Sequence, residues 1–431
     1  MIKNINIFYD SSYSNICDKI YYLFNSIGIN VIRHNLNKNI MLTENIKFLQ
    51  EKLQMKSINF DNDDSVNIYL SNKNSIESNT NTIIINTEQI DQSNIIEFIT
   101  KWLYDNNYIN ENEKEDLFFI DKFCCDKELY ELLPLTENRF LYDCDKTDIL
   151  TTKIDELVSS SSDIFIDWGN KEHEFLQYFN LYLAIHGNMY SLKVSGRYIY
   201  DAVALLNLCE RFINKEYKHY KSFILLVGEI NFYFLKEDNK AYECFEMQEK
   251  NNYYVSYLKG FYCYDFANRD DIASKFYLKS ILIYPEYYQA WYLLGCMLRN
   301  EKDISALIAF KTILIILEDK MNSNCLNPNE YYCLFNSYTN YASIQGEVKR
   351  TEKFNDAIDK YLLAERLWDG IDNSNLLSDS QKVLKKNLNI KKVYSELEFL
   401  YNKAGDKASM DYYNSKLYKY EMLMENNTRK I

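Results

Sequence analysis

One spacing limits what this chain can fold into. An alanine followed four residues later by an aromatic recurs five times in its second half: Ala241/Phe245, Ala273/Tyr277, Ala306/Phe310, Ala357/Tyr361 and Ala408/Tyr412. The alanines are 32, 33, 51 and 51 residues apart. Positions i and i+4 share one helix face. A small residue there lets a neighbouring helix approach closely, and the aromatic one turn on fills the groove between them. Self-similarity at a period near 34 marks stacked helical hairpins, each burying its apolar face only against its neighbours. Such an array curves, and its concave side is a binding surface.

Glycines give the matching signal on the preceding helix. Gly228, Gly260 and Gly295 stand 32 and 35 residues apart, each 11 to 13 residues before its alanine. Pro285 follows the second of these hairpins, where a helix must stop. The stretch 288–310 carries Trp291, Leu294, Gly295, Ala306 and Phe310. The stretch 254–285 carries Gly260, Ala273, Tyr277 and Pro285, and 221–245 carries Gly228, Ala241 and Phe245. Two later hairpins, 329–368 and 380–424, keep only the Ala/Tyr pair and have longer helices or loops. An earlier pair at 171–213 has Ala202 followed by Leu206.

These residues resemble the tetratricopeptide repeat, whose pattern is W-x2-L-G-x2-Y…A-x3-F…P. The resemblance implies an all-α superhelix over 171–425 whose concave face takes a protein or peptide. All of the repeat residues named are packing residues, not catalytic candidates.

Charge and motif content exclude several other functions. With a net charge of −13 the chain lacks the basic face that nucleic acid needs. Its densest lysine run, Lys382, Lys385, Lys386, Lys391 and Lys392, spreads over several helix faces. Cys124-Cys125 is the one adjacent pair among ten cysteines, there is no C-x-x-C, and four histidines are scattered. No grouped zinc ligands result. Asp61, Asp63 and Asp64 lack the glycine and later glutamate of a calcium loop. The longest apolar runs, near 223–227 and 313–317, are too short to span a bilayer. Nothing at the front of the chain reads as a signal peptide. The expectation is a cytoplasmic protein bound neither to membrane nor to nucleic acid.

Residues 1–158 read differently, as alternating strands and helices. Strands are expected at 5–9, 29–32, 66–70, 82–85, 117–120 and 140–142. Helices are expected at 13–27, 42–55, 93–105, 122–132 and 147–158. That alternation implies an α/β domain with a parallel sheet covered on both faces, and ligands in such sheets sit beyond the carboxyl ends of the strands. The serines at 159–162 open a linker over 159–170. No two glycines are closer than nine residues, so neither G-x-G-x-x-G nor G-x-x-x-x-G-K can be written.

Two segments of this front domain resemble the TIR (Toll/interleukin-1 receptor) domain. In 5–31, Tyr9, Gly28 and Val31 keep the family's strand–helix–Gly-x-x-Val spacing. In 83–103 an apolar strand is followed by Ser93 and then Glu97 on a helix. Phe8 and Asp10 stand where the family usually has serine, Ile95-Ile96 replaces its Trp-Cys, and the strand at 66–70 is additional. A receiver-like or flavodoxin-like sheet would give much of the same pattern.

The TIR resemblance implies cleavage of the nicotinamide–ribose bond of NAD, with NAD as substrate and no cofactor required. The oxocarbenium-like transition state of such a cleavage calls for a nearby carboxylate. Glu97 takes that role, and Tyr9, Asp10 and Ser11 line the same mouth. The plain alternative makes Glu97 a solvated position on an amphipathic helix, and Tyr9 and Ser11 strand-end packing and turn residues. Two functional expectations follow. In the first, the chain is an interaction scaffold whose front domain signals or self-associates as a homo-oligomer. In bacteria that arrangement would suit stress or phage defence, by family analogy alone. In the second, it is an NAD-hydrolysing effector regulated by its repeats.

Overall fold

The computed structural model describes residues 4–9, 30–35, 39–55, 65–70, 82–85, 95–111, 220–248, 252–322, 328–347, 351–374 and 378–428, with 17, 20, 24, 114, 115, 117, 206 and 326. The described chain divides into two compact units, the first ending at Tyr287 and the second opening at Tyr288. The expected linker at 159–170 and the hairpin at 171–213, save residue 206, lie outside the described residues.

The first unit begins with four strands: β1 (Asn4–Tyr9), β2 (Asn30–Asn35), β3 (Ser65–Leu70) and β4 (Thr82–Ile85). They form a parallel sheet in the order β2-β1-β3-β4. Alternation along each strand sets the two faces. Ile5, Ile7, Tyr9, Val66, Ile68, Leu70, Ile83 and Ile85 are all buried on one face. The opposite face is only half-buried. It pairs Asn6 Nδ2 with Asn67 Oδ1 at 3.0 Å and stacks Phe8 on Tyr69 with centroids 4.5 Å apart. That face therefore departs from the all-apolar cover expected of a doubly wound sheet. The strand at 66–70, additional to the TIR pattern, is central here, flanked by β1 and β4.

Helices α1 (Asn39–Lys52) and α2 (Ile95–Asp105) accompany the sheet. Cys17, Ile20 and Phe24 are helical and fully buried, at the i, i+3, i+7 spacing of a core-facing stripe. One expected strand is corrected. Leu117, the first residue of the strand expected at 117–120, is helical and fully buried. Glu111, Lys114 and Glu115 are helical too, and Lys114 pairs with Glu111 at 3.1 Å across one turn. Only Leu117 of that strand is so corrected. Residues 118–120 and the elements expected at 122–132, 140–142 and 147–158 lie outside the described residues.

Among the described residues two helix pairs follow in the first unit: α3 (Tyr220–Ile230) with α4 (Asp238–Glu246), and α5 (Tyr253–Asp265) with α6 (Asp270–Ile283). Between α3 and α4 a π turn, Asn231–Leu235, widens the helix and ends on Lys236 at φ 59°. The wider turn places Phe232 edge-on to Phe245, Phe261 and Phe266 at 5.3–6.0 Å, so one ring joins both hairpins. Asn252 caps α5, accepting from the amides of Tyr254 and Val255. Helix α1 lies against α6.

The second unit continues with α7 (Tyr288–Asn300) and α8 (Ala306–Asn322), then α9 (Pro328–Glu347) and α10 (Thr351–Gly370). A short α11 (Ser378–Asn387) precedes the last pair, α12 (Ile390–Ala404) and α13 (Lys407–Thr428). Each helix packs on the next within its pair, and α8 then packs on α9 and α10 on α12. Gly405, at φ +78°, closes α12, and Asp406 caps α13 through the amide and hydroxyl of Ser409.

The glycine–aromatic relation is physical. A Cβ on Gly228, Gly260 or Gly295 would lie 2.8, 2.8 or 2.9 Å from the ring of Phe245, Tyr277 or Phe310. Each ring sits flush against the backbone of the preceding helix. The first four Ala/aromatic pairs are fully buried. The fifth is not: Ala408 is exposed and Tyr412 is 54% exposed, while the adjacent Tyr413 turns inward at 6%. The packing register expected for 408/412 is therefore shifted by one residue in α13.

Candidate functional site

In a parallel sheet ordered β2-β1-β3-β4, consecutive connections run to opposite sides of β1. The crevice where ligands bind such sheets lies outside the carboxyl ends of β1 and β3. Tyr9 and Leu70 end those two strands and are register partners. Tyr9 is 4% exposed, and its hydroxyl donates to Glu286 Oε2 at 2.6 Å. Glu286 sits in the turn that follows α6. The first-strand mouth is thus occupied by a helical-hairpin turn from the same unit.

Glu97 stands in the first turn of α2, where a carboxylate complements the helix dipole. Its neighbours Ile95, Ile96, Ile99, Thr100 and Leu103 are buried, whereas Glu97 is exposed. The carboxylate that meets Tyr9 is Glu286 and not Glu97. Asp10 and Ser11 lie outside the described residues. Nothing in the sequence points to Glu286: it is 277 positions from Tyr9.

A second candidate is the seam between α7 and α9 in the second unit. Asn329 Nδ2 donates to the Tyr288 hydroxyl at 3.0 Å. One turn on, Tyr292 and Tyr332 meet edge to face at 6.2 Å. Further along, the Arg299 guanidinium donates to Asn340 Oδ1 and reaches Ser343 Oγ at 3.4 Å. Tyr332 is 36% exposed, and Asn336 lies beside it, bonded to its carbonyl at 2.9 Å. Both partners of Arg299 are neutral, and among the described residues no carboxylate forms an ion pair with it. The seam therefore presents an uncompensated, half-buried cation held by asparagine and serine, with tyrosines further along the same seam. Guanidinium geometry suits a carboxylate.

The surroundings of the cysteines in this region disfavour the thiolate. Burial pushes the Cys296 thiol up to about 11 and raises that of Cys333 well above its ordinary value. A reactive cysteine needs the opposite shift.

A third cluster surrounds Glu365, 7% exposed. The Tyr413 hydroxyl donates to its Oε2 at 2.8 Å, and the Lys416 ammonium bonds to its Oε1. That ammonium also lies 5.5, 5.0 and 5.8 Å from the rings of Tyr394, Tyr412 and Tyr413. An aromatic box of this kind binds cations, and here the chain's own lysine fills it. Burial is the largest single influence on Lys416 and opposes its charge, but the hydrogen bonds to Glu365 and Tyr412 and the Glu365 charge together outweigh it, and its pKa is raised.

Among the described residues no group of His, Cys, Asp or Glu could hold a metal ion, and no helix is long and apolar enough to cross a membrane. The fold defines a class: a small parallel α/β sheet followed by packed helical hairpins. No protein-family model matches the sequence, and no curated protein matches it.

Proposed function

We propose that this chain is an interaction scaffold of the tetratricopeptide type, with a TIR-like front domain. In this reading the α7–α9 seam takes an extended protein segment bearing a carboxylate. The observation that carries it is Arg299, half-buried among the neutral partners Asn340 and Ser343, on the same seam that carries exposed Tyr332 about two helix turns away. A carboxylate docked there gains a charge-assisted hydrogen bond in a partly desolvated site. The Gly228/Phe245, Gly260/Tyr277 and Gly295/Phe310 contacts support the repeat assignment. The β2-β1-β3-β4 order supports an open parallel sheet, which TIR-like, receiver-like and flavodoxin-like domains share.

Fluorescence anisotropy with a set of labelled acidic peptides tests the seam. Arg299→Gln and Tyr332→Ala are each expected to weaken a bound peptide by about tenfold or more, without lowering the melting temperature. Equal binding by parent and variants would remove the seam from the reading. NAD turnover, measured beside Glu97→Ala at high protein concentration, separates scaffold from effector. Turnover lost with Glu97→Ala would replace the scaffold reading by the enzymatic one.

A further inference from the structure

Helix α13 keeps an outer face that no other described element covers. Ala408, Asp411, Tyr412, Ser415, Tyr418, Lys419 and Met422 are all exposed. Tyr412, Tyr418 and Met422 stand at 54%, 63% and 43%. At 100° per residue these seven positions fall within about 120° of the helix circumference. Their steps of three and four residues repeat every seven, the spacing of a seam between two helices. The inner face is already used: Tyr413 is buried, Lys416 is bonded to Glu365, and Glu421 pairs with Lys391 at 2.7 Å.

The outer face is self-complementary when reversed. About Ser415, Asp411 mirrors Lys419, Tyr412 mirrors Tyr418 and Ala408 mirrors Met422. We propose that α13 pairs with α13 of a second copy of this chain, antiparallel across a two-fold axis at Ser415. Small Ser415 side chains at the axis let the two backbones approach. Either side of it, Tyr412 of one copy stacks on Tyr418 of the other, and Asp411 of one copy meets Lys419 of the other. Two-fold symmetry makes each contact twice, as an isologous interface requires. A parallel pairing would set Lys419 against Lys419 and Asp411 against Asp411, so charge selects the antiparallel one. Ala408 to Met422 spans about 21 Å of helix. One helix pair of that length falls at the low end of specific interfaces, so the dimer dissociates on dilution.

This interface is separate from the α7–α9 seam, and its failure would leave the peptide reading untouched. Sedimentation velocity of the full chain over a concentration series tests it. The parent is expected to pass from monomer to dimer. Asp411→Lys alone and Lys419→Asp alone each put like charges together twice and raise the dissociation constant by about tenfold. The double exchange, Asp411→Lys with Lys419→Asp, restores the parent value. All four proteins keep the parent circular dichroism spectrum, since both positions are exposed. A chain that stays monomeric throughout would overturn the proposal. So would a dimer indifferent to the single exchanges, or one that the double exchange fails to restore.

Discussion

A Cβ placed on Gly260 would stand 2.8 Å from Cε1 of Tyr277, a ring that is itself fully buried. Both atoms belong to one hairpin, so the two helix backbones are held apart by the thickness of that ring alone. Within a helix Ala is favoured over Gly by about 1 kcal/mol. Here overpacking opposes that gain by about 1–3 kcal/mol or more. Gly260→Ala is therefore expected to lower the melting temperature. At Gly370 a Cβ would meet nothing within 4 Å, and the backbone is α-helical at φ −73°. Gly370→Ala is expected to stabilise by about 0.4–1 kcal/mol. Thermal melts of the two variants with opposite signs would bear this out. A raised melting temperature for Gly260→Ala would show that the ring can move.

The Ala/aromatic pairs separate by burial. Phe310→Ala and Tyr361→Ala each remove a fully buried ring and should cost about 3–5 kcal/mol. Ala306→Leu should cost about 1–3 kcal/mol by overpacking. Tyr412, half exposed, should cost less than about 1 kcal/mol on truncation in the monomeric chain. Denaturant titration at low protein concentration ranks the four. If Tyr412→Ala were as damaging as Tyr361→Ala, the outward register of α13 would be wrong.

Burial explains which parts of this fold the sequence exposes to reading. The first four Ala/aromatic pairs were legible because local spacing and tertiary burial agree there. At 408/412 the same spacing faces outward, because Tyr413 takes the inner position and bonds to Glu365. Local spacing cannot report that choice, which depends on a residue 48 positions earlier. The four strands were legible from their alternation, 82–85 to the residue and the other three with boundaries moved by one to three residues. Leu117 misled because the Phe-Phe-Ile that follows it favours β structure, whereas Leu117 itself is helical and buried, in step with helical Glu111, Lys114 and Glu115. At the candidate site, Glu97 falls on the helix expected of it, yet the carboxylate beside Tyr9 comes from a turn far along the chain. Neither composition nor period encodes a contact of that separation.

The Tyr9–Glu286 bond ties the sheet to the second helical hairpin, and its loss should be measurable. A hydrogen bond to a charged group contributes about 1.5–3 kcal/mol when partly buried. Tyr9→Phe deletes the donor while keeping the ring in its pocket, so it isolates the bond. Tyr9→Phe is expected to destabilise the first unit within that range. Glu286→Gln, which keeps an acceptor oxygen, should cost less. Hydrogen exchange of β1 and of the α6 turn should rise together in Tyr9→Phe. Faster exchange confined to one of them would show that the bond does not couple the two elements.

Glu229 gives the chain a pH dependence with a definite sign. It is fully buried on α3, and its Oε1 accepts from the Tyr254 hydroxyl at 2.5 Å. Burial raises its carboxyl well above the ordinary carboxylate range. The folded chain thus holds this proton more tightly than the unfolded chain, whose glutamates titrate near ~4.3. Its contribution to stability is complete below that unfolded value and is lost as pH rises through the raised folded value. Glu229→Gln keeps an acceptor for Tyr254 and cannot ionise. The variant's stability relative to the parent should be lowest in acid, grow as pH climbs above ~4.3, and level off past the folded value. Denaturant titrations of both proteins across the mildly acidic to neutral range measure that difference. A difference that does not change with pH would mean that Glu229 titrates normally in the folded chain, and so that it is hydrated.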